Sequence, residues 1–182
     1  VAQTQGHAAI YIGNGHAAWE AAFANTLAEG DRILLLATGR FGHGWADIAE
    51  SLGIEVDRVD YGNRSAIDPQ QVSDALSKGV DYKAVMTVHV DTATSARSDI
   101  LAVRQAMDAA GTDALLLCDC IASLGCDQFL MDDWGVDVMV TGCQKGLMTP
   151  PGMSFVYFNE KAAAARPSPT SVRHSWETTR SA

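Results

Sequence analysis

The stretch Ala114-Leu115-Leu116-Leu117-Cys118-Asp119 is apolar until it ends on a single carboxylate. A strand with one wet face would alternate polar and apolar residues. This run instead predicts a strand covered on both faces, as in a parallel sheet sandwiched between helices. The theme repeats outward. Runs at 8–12, 32–37, 54–59, 83–89, 136–141 and 153–158 predict further strands. Helical patterns lie between them, roughly at 15–28, 42–52, 69–77, 99–110 and 160–165. Asp68-Pro69 places an N-cap before a first-turn proline, and Gly53, Gly79 and Gly111 stand where helices should stop. The alternation predicts an α/β fold: a doubly wound, mostly parallel seven-stranded sheet with helices on both faces. Only residues 142–152 separate the last two runs, too few for a helical crossover, so these two strands are expected to pair antiparallel. Residues 1–165 read as one domain. Residues 166–182, opening Arg-Pro-Ser-Pro-Thr, read as a linker or frayed tail.

Composition narrows the function. Of 182 residues, 47% are hydrophobic and 19% charged, enough apolar content for a sizeable core. The formal charge of −9 argues against nucleic acid or an anionic membrane surface as partner. No apolar run approaches the ~20 residues of a membrane span. Cys118, Cys120, Cys126 and Cys143 include no C-x-x-C pair, and a chain of this size needs no disulfide staples. A soluble protein with reduced thiols in the cytoplasm is expected. No convincing His or Cys spacing for a metal is present.

In doubly wound sheets, ligands gather beyond the carboxyl ends of the strands. After the first run comes Gly13-Asn14-Gly15-His16-Ala17-Ala18, leading into a helix. Glycines let the backbone approach a ligand, and the helix start offers free N–H groups to a phosphate. The same residues match G-x-G-x-x-A, so a dinucleotide-binding dehydrogenase is a rival reading. The second run ends Thr38-Gly39-Arg40-Phe41-Gly42, without the acid that NAD would prefer, although Arg40 suits NADP. Phe41, on a flexible loop between glycines, either packs over the helix behind it or stacks on a flat ligand. The fourth run leads into Asp91-Thr92, which the nearer helix cap Asp99 leaves free to face a ligand. Asp119, at a dry strand end, needs a cation or several donors.

Lys145 decides between the readings. The other lysines, Lys78, Lys83 and Lys161, sit at solvent-facing boundaries. Lys145 stands between Thr141-Gly142-Cys143-Gln144 and Gly146-Leu147-Met148. Apolar, glycine-bracketed surroundings favour a neutral amine, which a Schiff-base nucleophile requires; a lysine that simply reaches solvent is the plainer alternative.

Three segments together resemble the large domain of class V aminotransferases, pyridoxal-phosphate enzymes of fold type I. They are Gly13-Asn14-Gly15-His16-Ala17-Ala18-Trp19-Glu20, Asp119-Cys120-Ile121-Ala122-Ser123-Leu124-Gly125, and Gly142-Cys143-Gln144-Lys145-Gly146-Leu147 with Pro150-Pro151-Gly152. The sequence is most similar to the serine–glyoxylate and alanine–glyoxylate members, over about residues 5–165. The resemblance implies that Lys145 and Asp119 are catalytic, Lys145 binding the cofactor covalently and Asp119 pairing with its ring nitrogen. It further implies that Asn14, Gly15 and His16 hold the phosphate and that Phe41 and Ile121 cover the two ring faces. Thr92 and Gln144 match polar residues that contact the cofactor. A homodimer transferring an amino group from a small amino acid, serine or alanine, to glyoxylate or a similar 2-oxo acid is the implied whole. Family members run about twice this length, with an N-terminal segment and a C-terminal domain that usually supplies an arginine for the substrate carboxylate, and neither is matched by this sequence. A large-domain core that binds cofactor without turnover is therefore a third reading.

Overall fold

A computed structural model describes residues 2–166. The tail expected at 166–182 lies, apart from Arg166, outside the described residues. In chain order the elements are β1 (His7–Ile12), α1 (Gly15–Thr26), β2 (Arg32–Ala37), α2 (Arg40–Ser51), β3 (Glu55–Asp60) and α3 (Pro69–Leu76). They continue as β4 (Ala84–Val88), α4 (Ile100–Ala109), β5 (Leu115–Asp119), β6 (Val138–Gly142), β7 (Met153–Phe158) and α5 (Glu160–Ala164). One seven-stranded sheet runs β1-β7-β6-β5-β4-β2-β3. Strand β7 lies antiparallel to both β6 and β1, while β6, β5, β4, β2 and β3 are mutually parallel. The short connection 142–152 thus does make the expected antiparallel turn.

Successive residues of each central strand feed opposite cores. In β5, Leu115 and Leu117 join the side chains of α1 and α2, while Leu116 and Cys118 join those of α3 and α4. In β2, Ile33, Leu35 and Ala37 divide from Leu34 and Leu36 in the same way. This two-sided burial is the physical reason for the unbroken apolar runs, each buried Leu or Ile contributing about 1.5–3 kcal/mol.

Among the described residues, four of the five helices start on an Asn or Asp whose side chain accepts a first-turn N–H: Asn14 from Ala17, Asp68 from Gln70, Asp99 from Ala102 and Asn159 from Ala162. Gly53 and Gly111 follow their helices directly with positive φ, whereas Gly79 comes one residue later than expected.

Helix α2 departs from expectation. It begins at Arg40, two residues early, so Phe41 stands in its first turn and not on a flexible loop. Its own N-cap, Gly39, has no side chain to offer. The cap comes from Asp91, whose Oδ2 accepts the N–H of Phe41 at 2.9 Å and of Gly42 at 3.3 Å.

The dinucleotide reading does not survive the topology. In dinucleotide folds the glycine-rich turn follows a strand at the switch point inside the parallel sheet. Among the described residues, β1 is an edge strand whose sole neighbour, β7, is antiparallel.

Candidate active site

Strands β1, β4, β5 and β6 present their carboxyl ends to one cleft of about 240 Å³. All nine residues singled out in the sequence line it: Asn14, Gly15, His16, Phe41, Thr92, Asp119, Ile121, Gln144 and Lys145. Trp19, Val88, Val90 and Ala122 complete the wall.

The first side is the start of α1. The Asn14 side chain is engaged in capping, 3.2 Å from the N–H of Ala17. The N–H groups of Gly15 and His16, in the first turn, have no acceptor within the helix. Gly15 is buried, and a Cβ there would overlap the Ile121 side chain. The backbone can therefore reach the cleft only as glycine. Free N–H groups at the positive end of a helix form an anion seat.

Asp119, at the end of β5, forms the floor. It is 3% exposed. Its Oδ1 accepts the N–H of Ile121 at 2.7 Å and its Oδ2 the indole Nε1–H of Trp19 at 2.9 Å. Burial pushes its pKa up to about 7, against the two donors that favour the charged form, and nearby Asp91 adds to the rise. A carboxylate so placed gains strongly from a cation brought beside it.

Lys145 lines the same cleft from the turn that follows β6. Contrary to the sequence expectation, this lysine is exposed and not embedded in apolar surroundings. The segment after Gly142 folds as open turns instead of packing as a strand, which leaves its side chain at the rim. Among the described residues it has no ion pair, whereas Lys83 pairs with Asp81 and Lys161 with Asp113. Gln144 folds back over Gly142, where a Cβ would lie 2.6 Å from its Oε1.

Asp91 also departs from the sequence expectation. Besides capping α2, it receives the N–H of Ala93 at 2.9 Å and is fully buried, so it does not face a ligand. Thr92 alone of that pair lines the cleft. Gly39 makes room for the carboxylate, since a Cβ there would sit 2.6 Å from the Asp91 Cγ.

Trp19 lies in the first motif, and local sequence alone does not mark it as a cleft residue. Its signal was general: a buried indole N–H needs an acceptor. Which acceptor depended on bringing residues 19 and 119 together.

Among the described residues, no three His, Cys, Asp or Glu side chains gather as a metal site, and no helix is long and apolar enough to cross a membrane.

One cleft of this doubly wound sheet thus brings together the open start of a helix, a buried acid and a lysine. The family profile for class V aminotransferases matches residues 3–172, and the chain belongs to that family. It is 40% identical over 164 residues to an L-aspartate–glyoxylate aminotransferase of Paracoccus denitrificans, covering 89% of this chain and 41% of that protein. It is 41% identical over 164 residues to a serine–glyoxylate aminotransferase of Methylorubrum extorquens, with the same coverage of both. Among solved structures, an alanine–glyoxylate aminotransferase of Nostoc superimposes with a TM-score of 0.84 at 31% identity, over 90% of this chain and 43% of that one. The chain spans about two fifths of the length of these curated relatives.

Proposed function

We propose that residues 1–165 form the cofactor-binding large domain of a pyridoxal-phosphate-dependent transaminase. Its amino donor would be a small amino acid such as serine or alanine, and its acceptor glyoxylate or a similar 2-oxo acid. The observation that carries this reading is the cleft that buried Asp119 and Lys145 line together with the open start of α1. Relatives named for glyoxylate transamination support the substrate class.

The donor set suits the cofactor. Gly15 and His16 N–H groups would bind its phosphate, Phe41 and Ile121 would flank its ring, and Thr92 and Gln144 would meet its polar edge. Bound pyridoxal phosphate supplies an aldehyde that condenses with amines and a protonated ring that withdraws electrons. Asp119 would hold the proton on the ring nitrogen, which its dry setting makes favourable. Lys145 would tether the cofactor, and its freed amine would carry a proton to and from the substrate α-carbon. Turns 92–94 and 143–149 would shield the reacting atoms from water on one side only.

The remaining side supports a homodimer. Asn14, His16, Thr92 and Lys145 are exposed. Next to them Ile12 is 98% exposed, Met148 89% and Met153 44%. Apolar side chains bordering an open cleft suit a self-complementary contact that closes two sites at once. The four unpaired cysteines support a cytoplasmic location.

The test is a visible spectrum of the protein mixed with pyridoxal phosphate, followed by borohydride reduction and peptide mapping. A yellow complex bleached by borohydride, with the pyridoxyl group on Lys145 and none in Lys145→Ala, is expected. A colourless protein, or label on Lys78, Lys83 or Lys161, would overturn the reading.

A further inference from the structure

The indole of Trp19 touches three parts of the cleft. It sits in the second turn of α1, 1% exposed. Its ring stacks on Trp45, with centroids 6.1 Å apart and planes 20° from parallel, and Trp45 stacks in turn on Phe23 at 5.4 Å. Its edges meet Phe41 at 6.4 Å and His16 at 4.6 Å. A ring braced by these neighbours and buried in close-packed surroundings has little freedom to rotate. Its N–H is therefore held at one point, 2.9 Å from Oδ2 of Asp119.

Each Asp119 oxygen thus has one neutral donor: Oδ1 the backbone N–H of Ile121, Oδ2 the indole of Trp19. The first belongs to the turn that Asp119 itself makes and moves with it. The second comes from another helix and ties the carboxylate to the body of the domain.

We propose that Trp19 is a positioning residue that fixes the orientation and charge of the Asp119 carboxylate for a cationic ring nitrogen. The assignment of that nitrogen rests on the cofactor reading above; the contact between Trp19 and Asp119 does not. The donor stabilises the charged carboxylate in a site where burial opposes charge. Other titratable groups around Asp119 cannot take its place. Asp91 pushes the same way as burial. The Cys120 thiol is itself held protonated by burial and by its neighbours Cys118 and Asp119. His16 and Lys145 line the cleft but make no hydrogen bond to Asp119 among the described residues. Without the indole, Oδ2 has no hydrogen-bond donor among the described residues.

The experiment uses cofactor-free protein labelled with ¹³C at aspartate carboxyls and ¹⁵N at tryptophan indoles. Asp119→Asn assigns the carboxyl signal, and Trp19→Phe, which keeps an aromatic ring in the stack, assigns the indole. In the unsubstituted protein Asp119 should titrate with a midpoint at about 7, and the Trp19 Nε1–H signal should shift with that same midpoint. In Trp19→Phe the carboxyl midpoint should rise by about one to two pH units, the effect expected from losing one hydrogen bond to a charged group. Equal midpoints in the two proteins, or an indole signal indifferent to the Asp119 titration, would overturn the proposal. Should Trp19→Phe fail to fold, the indole titration of the unsubstituted protein, with Asp119→Asn as its flat control, decides alone. Pyridoxal phosphate is then added to the unsubstituted protein. Failure to bind it would count against the cofactor reading and leave the titration result standing.

Discussion

Gly125 and Gly146 meet backbone to backbone. A Cβ on Gly125 would lie 2.9 Å from the Gly146 carbonyl oxygen, and a Cβ on Gly146 would overlap the Leu124 carbonyl oxygen. Gly125 also holds a φ of 86°, a left-handed conformation that other residues adopt at a cost. The turn after Asp119 and the turn carrying Lys145 are thereby pressed together. Two glycines thus hold the acid-bearing and amine-bearing turns in contact, although neither glycine carries chemistry of its own.

Gly146→Ala should separate the two turns. The methyl group meets backbone atoms at Leu124 and Cys126, which cannot swing aside as a side chain could. A stability loss of about 1–3 kcal/mol is expected from the overpacking. Displacement of Lys145 by about an ångström should cut borohydride-trapped cofactor at least about tenfold. Denaturant melts and intact mass after reduction measure both. Full labelling of a destabilised variant would show that the glycine contact serves packing alone.

Asp119 should make the cofactor-free protein pH-sensitive. Its carboxyl is raised from 3.8 to about 7 in the folded state. Between those values the folded chain keeps a proton that the unfolded chain has lost, so folding stability falls as pH rises through this window and levels off above it. Asp119→Asn removes the effect. The variant should match the parent near about pH 4 and exceed it near about pH 8, by at most roughly 4 kcal/mol. Urea unfolding across that range checks the sign. A parent no less stable than the variant at the alkaline end would mean that Asp119 stays charged at little cost.

Assembly should be linked to cofactor affinity. The open side of the cleft and the exposed Ile12, Met148 and Met153 beside it predict a two-fold pair in which each copy closes the other's site. Pyridoxal phosphate affinity should fall as the protein is diluted toward monomer. Sedimentation and cofactor titration at matched concentrations test this. Equal affinity for a proven monomer at every concentration would exclude it.

What the sequence determined by itself was periodic or local. The central strands β2, β4, β5 and β6 were legible because burial on both faces removes polar residues from all but their ends, as in Leu115–Asp119. Caps at Asp68 and Asp99 were legible because the side chain and the N–H it accepts lie two or three residues apart. The three motif segments supplied seven of the nine cleft residues, Phe41 and Thr92 coming from other strand ends, because strands running the same way put their carboxyl ends on one edge.

What only the tertiary structure decided joins distant parts of the chain. Asp91 caps a helix 50 residues earlier, which turns Phe41 from a loop residue into a helical one and withdraws Asp91 from the cleft. Trp19 reaches Asp119 across 100 residues. Lys145 stands exposed because its turn packs on Gly125 and not within a core. Each outcome depends on which elements become neighbours, and a buried donor or acceptor takes whatever partner the packing brings within about 3 Å. Local sequence records that such a partner is needed; only the assembled sheet specifies which one.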